Sequence, residues 1–133
     1  MNRLLLSLVL CFSVMSATNL NAQGAKMPMF VSMVQLLSNP EQYNGKTVRV
    51  VGYLWIEFEG TALYFHKEDK INSLTKNAIA LNLPEKSLKD EKKLSGHYAV
   101  IEGVFDAGDP GHMGLYSGTI HSIQRTSPML PKR

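Results

Sequence analysis

Apolar and polar residues alternate from Thr47 to Phe58. Val48, Val50, Leu54, Ile56 and Phe58 fall on one face, and Arg49, Val51, Tyr53, Trp55 and Glu57 on the other. A period of two is the pattern of a strand packed on one side. Gly52 sits mid-run, where a glycine predicts a bend or bulge. A long bent strand that serves two sheets is a device of small barrels. Glu59-Gly60 reads as the next turn. Residues 61–66 form a second strand with Leu63 and Phe65 inward and Tyr64 and His66 outward. Residues 67–76 are polar and read as a loop. Residues 77–83 form a third strand, with Ile79, Leu81 and Leu83 on one face and Pro84 as its stop. Residues 98–105 and 115–124 read as the fourth and fifth strands, joined by the turn-rich stretch 106–114.

Three stretches depart from this period. Phe30, Met33, Val34 and Leu37 recur at helical spacing, and Ser32 with Gln35 has the spacing of a capping box. Pro40 stands at the first position of a second short turn, which Asn44-Gly45 ends. Ser87 and Asp90 again have capping-box spacing, and Gly96 stands where a helix would stop, so residues 88–94 read as a short, largely solvated helix. The order is a helix, three strands, a helix and two strands. That is the order of the OB fold, a partly open five-stranded Greek-key barrel. The predicted class is mainly β, a five-stranded OB-like barrel with a short N-terminal helix and a helix between its third and fourth strands.

Three segments carry a resemblance. They are Asn39-Pro40-Glu41-Gln42-Tyr43-Asn44-Gly45-Lys46-Thr47-Val48-Arg49-Val50-Val51-Gly52, Thr75-Lys76-Asn77-Ala78, and Gly111-His112-Met113-Gly114-Leu115-Tyr116-Ser117-Gly118. Together they resemble a family of small exported bacterial proteins with OB-fold-like, tRNA-anticodon-binding-like domains. The resemblance runs from about Val31 to Gln124. It implies a fold and names no chemistry, because its motifs are turns and strands.

The N-terminus has a different character. Asn2-Arg3 is followed by an almost wholly apolar run to Met15 and then by small and polar residues to Gln23. This is the three-part pattern of a secretory leader. The apolar run falls short of the roughly 20 residues that span a bilayer. Residues 1–22 are therefore expected to be removed after Ala22, with a cut after Ala17 as the alternative. The mature protein is expected in the periplasm or outside the cell, without a membrane span. Residues 23–30 read as a flexible lead-in, 31–126 as the barrel and 127–133 as a C-terminal tail. Cys11, preceded by Leu10, lacks the small neighbour of a lipidated cysteine. As the chain's single cysteine it lies in the leader, so the mature protein holds no disulfide, thiolate metal site or cysteine nucleophile.

Composition narrows the functions. Of 133 residues, 44% are hydrophobic and 19% charged, which suits one folded domain. Loss of Arg3 leaves 13 basic against 11 acidic residues, sparse for a dedicated nucleic-acid surface. The outward positions of the first three strands gather Arg49, Tyr53, Trp55, Tyr64, His66 and Asn82, and His112 stands in the glycine-rich loop. OB barrels commonly bind ligands on this face and on the adjoining loops. Either these aromatics meet a ligand, or the N-terminal helix lies over them and buries them. Glu57 and Glu59 share a face as a possible carboxylate pair, and no Gly-x-Ser-x-Gly elbow surrounds any serine. The four histidines have no metal-ligand spacing between them, and no cofactor is implied. The sequence reads as an exported binding or interaction module without catalysis, for a protein or small ligand it does not specify. Binding of single-stranded nucleic acid or an oligosaccharide through the aromatics is the alternative, and a small metal-dependent hydrolase is the second.

Overall fold

The computed structural model describes residues 27–86 and 88–130. The expected leader, most of the expected lead-in, Ser87, for which a capping role was expected, and residues 131–133 lie outside them. The strands are β1 (Met29–Phe30), β2 (Thr47–Trp55), β3 (Ala62–Tyr64), β4 (Ala78–Leu81), β5 (His97–Asp106) and β6 (Thr119–Pro128). The helices are α1 (Met33–Ser38), α2 (Lys67–Ile71) and α3 (Leu88–Glu91), with short 3₁₀ turns at Pro40–Tyr43, Thr75–Asn77, Lys92–Leu94 and His112–Gly114. The sheet runs β1-β2-β3-β4-β6-β5, and β2 also pairs with β5. That last pairing closes β2 to β6 into a five-stranded barrel, the OB-like architecture the element order predicts.

The core follows the alternation. Val48, Val50 and Leu54 point inward with Leu63, Ile79, Ile101, Phe105 and Ile120. The capping box at Ser32 forms as the sequence predicts, with Gln35 N–H donating to Ser32 Oγ and Ser32 N–H donating to Gln35 Oε1. It starts α1 at Met33, so Phe30 is left in β1, beside β2. Met33 and Leu36 are the residues α1 buries, and both join the barrel core, while Val34 and Phe30 stay exposed. The helix therefore packs into the core.

Four expectations are corrected. Gly52 introduces no bulge, because β2 keeps unbroken register with β5 from Thr47↔Val104 to Leu54↔His97. Its role is close approach: a Cβ there would lie 2.6 Å from Leu63 Cγ and 2.7 Å from the Tyr64 carbonyl oxygen. The register shift lies instead between β5 and β6, at Gly103 and Ser122, where Ser122 takes φ +48°. Residues 67–76 are not a plain loop. Asp69 is buried, accepting the His66 N–H at 2.7 Å and the Asn77 side-chain amide at 2.8 Å, and these bonds hold α2 against the end of β3. The final strand begins at Thr119, four residues late, and continues through the supposed tail to pair Pro128 with Ala99. Part of the supposed lead-in is likewise β1.

Candidate functional site

β3 and β4 are buried on both sides. One side faces the barrel core, and the other carries Tyr64, Ala62, Ala78 and Ala80, packed with Tyr53 and Tyr116. Tyr53 and Tyr64 are 6% and 2% exposed, so neither offers a ring face to a ligand. The cover is not α1. Tyr98 meets the Tyr53 ring edge-on at 5.7 Å, Tyr116 packs on Tyr64, and the Lys70 ammonium of α2 stands 5.2 Å from the Trp55 ring centre and 5.8 Å from that of Tyr64. The Trp55 indole N–H donates to Glu57 Oε2 at 3.0 Å, and Lys70 holds the other Glu57 oxygen at 3.0 Å. The outward aromatics are a second small core, and Glu57 is tied into it.

This packing sets the alkaline behaviour. Burial, followed by the charge and hydrogen bond of Tyr116, raises the Tyr64 phenol well above its ordinary value of about 10. In the unfolded chain the same phenol ionises near 10. The neutral form is therefore favoured by folding, and that stabilisation is complete below pH 10 and is lost as pH rises from there toward the folded-state value. The melting temperature is expected to fall steadily above pH 10 in the wild type and less steeply in Tyr64→Phe. Equal slopes in a series of thermal melts from pH 9 to 11.5 would contradict this origin.

With the aromatics covered, the open geometry lies at the end of the barrel. A cavity of about 660 Å³ lies between the β2–β3 turn, the end of β4, α3 and the loop 107–118. Ile56, Leu81, Leu83 and Leu88 supply apolar walls, and Glu57, Glu59, Asn82, Lys92, Asp109 and His112 supply polar ones. The loop is braced from several sides. The Tyr116 hydroxyl donates to the Gly60 carbonyl at 3.2 Å and so ties the loop to the β2–β3 turn. Thr119 Oγ1 donates to the Asp109 carbonyl at 2.9 Å, and the Gly111 N–H donates to the Asp109 carboxylate at 3.0 Å. Lys76 Nζ donates to the carbonyls of Gly114 and Tyr116. Gly111, at φ +67°, lies so close to β4 that a Cβ would stand 2.6 Å from that of Ala80. Across the mouth His112 Nε2 and Glu59 Oε2 face each other at 3.9 Å.

Comparison with protein-family models, curated proteins and solved structures gives no match.

The seven residues singled out in the sequence separate. Asn82 and His112 line the end cavity. Tyr53 and Tyr64 are buried, and Trp55 is half-buried against them. Arg49 and His66 line a different groove, on the outer face of β2 and β5. The sequence reading missed Phe58, Glu59, Lys92 and Asp109 as cavity residues. The alternation places Phe58 on the core face, but β2 stops at Trp55 and Phe58 is 91% exposed at the cavity edge. The only local signal was Gly60, a turn residue two positions after Phe58. Among the described residues no three His, Asp or Glu side chains converge as metal ligands would, and no helix is long and apolar enough to cross a membrane.

Proposed function

We propose that this chain is an exported, non-catalytic binding module that takes its ligand in the cavity between the β2–β3 turn and the loop 107–118. The observation that carries the reading is the bracing of that cavity by the loop's own hydrogen bonds, which prepays the ordering that binding would otherwise cost. Its position, at the end of β4 and between these two loops, matches the loops with which OB barrels commonly hold ligands. The leader pattern of residues 1–22 and the resemblance to small exported OB-like proteins support export.

The lining points to the ligand's class. Two carboxylates, Glu59 and Asp109, face the space with one lysine, Lys92, and one histidine, while the third, Glu57, is already paired with Lys70. A polyanion gains no cationic surface there beyond Lys92, and Tyr53 and Tyr64 are buried, leaving Phe58 as the one aromatic ring exposed at the cavity edge. A neutral polar ligand with an apolar side, such as an oligosaccharide, suits a wall of leucines bearing amide, carboxylate and ammonium groups. The Asn82 and Lys92 side chains are the two exposed polar groups best placed to orient it.

The test is a titration of mature protein with neutral oligosaccharides and, separately, with a thymidine dodecamer. Saturable oligosaccharide binding that weakens about tenfold in Asn82→Ala, the effect of about one well-made hydrogen bond, is expected. Tight, strongly salt-dependent binding of the dodecamer would overturn the reading, as would oligosaccharide binding indifferent to both Asn82→Ala and Lys92→Ala.

A further inference from the structure

A second concave surface shares no residue with that cavity. It lies on the outer face of β2, β5 and β6, has a volume of about 690 Å³, and is walled on one side by Phe30 to Met33 and on another by Phe65 and His66. Strand register orders its floor in rows. Arg49 pairs with Glu102, which pairs with Arg125. The next row is Val51, Val100 and Ser127, and beyond it Tyr53 and Tyr98 are followed by Met129, whose N–H donates to the Tyr98 carbonyl. A cationic row thus adjoins an apolar one on the same face.

The charges in the cationic row do not balance. Both guanidiniums reach the same oxygen of Glu102, Arg49 through Nε and Arg125 through Nη1 at 3.3 Å. One carboxylate between two guanidiniums leaves one positive charge uncompensated. Glu102 lies beneath, 10% exposed at its side chain, and among the described residues no carboxylate lines the groove. Arg49 is covered by the Phe30 ring, 4.3 Å from its guanidinium carbon. Arg125 keeps 55% of its side chain exposed and makes one side-chain hydrogen bond, to Glu102, so most of its five donors are free for another oxygen anion. Alongside, Phe30, Val51, Tyr98 and Met129 are all exposed, a contiguous apolar strip of the kind that marks a contact site.

We propose that this groove binds the anion of a free fatty acid. Its carboxylate pairs with Arg125, and its chain lies over Val51 and Val100 toward Tyr98 and Met129. Charge complementarity selects the anion, since a cationic or neutral amphiphile would gain the same apolar contact and lose the guanidinium. The size suits a single small ligand, within the roughly 300–1,000 Å³ usual for such sites.

Calorimetric titration of the mature protein with sodium dodecanoate, and with dodecyltrimethylammonium as the cation of equal chain length, tests the proposal, both kept below micellar concentration. One equivalent of dodecanoate is expected to bind, about fourfold more tightly for each added methylene in a chain-length series. Arg125→Gln should weaken it at least tenfold, and Val51→Glu, which places a carboxylate on the groove floor, should abolish it. The methyl resonances of Val51 and Val100 should shift on addition of dodecanoate. Equal affinity for the two amphiphiles, unchanged affinity in Arg125→Gln, still methyl signals, or binding only to phosphatidylglycerol vesicles would each overturn it. Oligosaccharide binding at the end cavity should be untouched by either variant, so this proposal and the reading of that cavity fail separately.

Discussion

Gly52→Val is expected to lower the melting temperature by about 10–20 °C. The reason is topological. β2 is the strand that closes the barrel, paired along nearly its whole length with β5 on one side, while on the other it meets first β1 and then β3. Gly52 stands just before the β3 pairing begins at Tyr53↔Tyr64. A Cβ there would be 2.7 Å from the backbone oxygen of Tyr64 and 2.6 Å from Leu63 Cγ. Leu63 is fully buried and Tyr64 is fixed by the β4 ladder and the tyrosine cluster, so neither can withdraw. Valine adds two more carbons to that collision. Overpacking of this kind costs about 3 kcal/mol, and each kcal/mol moves the transition of a domain this size by about 4–8 °C. Glycine's entropic disadvantage in a strand works the other way by up to about 1 kcal/mol, too little to reverse the sign. The check is a thermal melt followed by circular dichroism. A shift under 3 °C would mean that β2 and β3 can separate at this point without loss.

The same two strands show what the sequence discloses and what it hides. The inward set of β2 was readable because one side of a strand against a core yields a clean alternation at Val48, Val50 and Leu54. The start of α1 was readable because Ser32 and Gln35 satisfy each other locally. β3 and β4 gave a false outward face. Tyr64 alternates with Leu63 as an exposed residue would, but it is buried by Tyr116, 52 positions later, and no local pattern reports a partner so distant. α2 was hidden for a similar reason. Its stability rests on Asp69 reaching forward to Asn77, while its own five residues have no apolar stripe. The end of β6 was misread because the register shift at Ser122 breaks the period of two, which leaves Thr126 to Pro128 looking like a tail. At the end cavity, Asn82 was legible as an outward position of the third strand, and His112 as a side chain of the glycine-rich loop. Glu59 was legible only as the partner of Glu57, and Lys92 and Asp109 carry no comparable signal, because only the barrel's closure brings α3, the β2–β3 turn and the long loop to one mouth.

Phe105→Ala is the second large effect, about 4 kcal/mol of unfolding free energy. Phe105 has no exposed surface and lies in the barrel core opposite Ile120, its partner in β6. Its backbone also anchors the turn at Asn44-Gly45, with its N–H donating to the Lys46 carbonyl at 3.0 Å and its carbonyl accepting the Gly45 N–H at 2.7 Å. The ring presses against Gly118, where a Cβ would sit 2.5 Å from Cε2. Removing the ring takes away both its transfer free energy and the packing that shapes the Gly118 backbone, at φ +142°. A domain of this length holds only about 5–15 kcal/mol in all, so the variant is expected to be folded but marginal. Urea unfolding should show a fall in the midpoint at constant slope, the mark of lost stability without a change in the unfolded state. Because Gly118 leads from the braced loop into β6, the end cavity should loosen too, and oligosaccharide affinity should drop while dodecanoate affinity at Arg125 holds. A loss below about 1.5 kcal/mol would show that the core refills the space, since the cost of a large-to-small change falls with how far the site collapses.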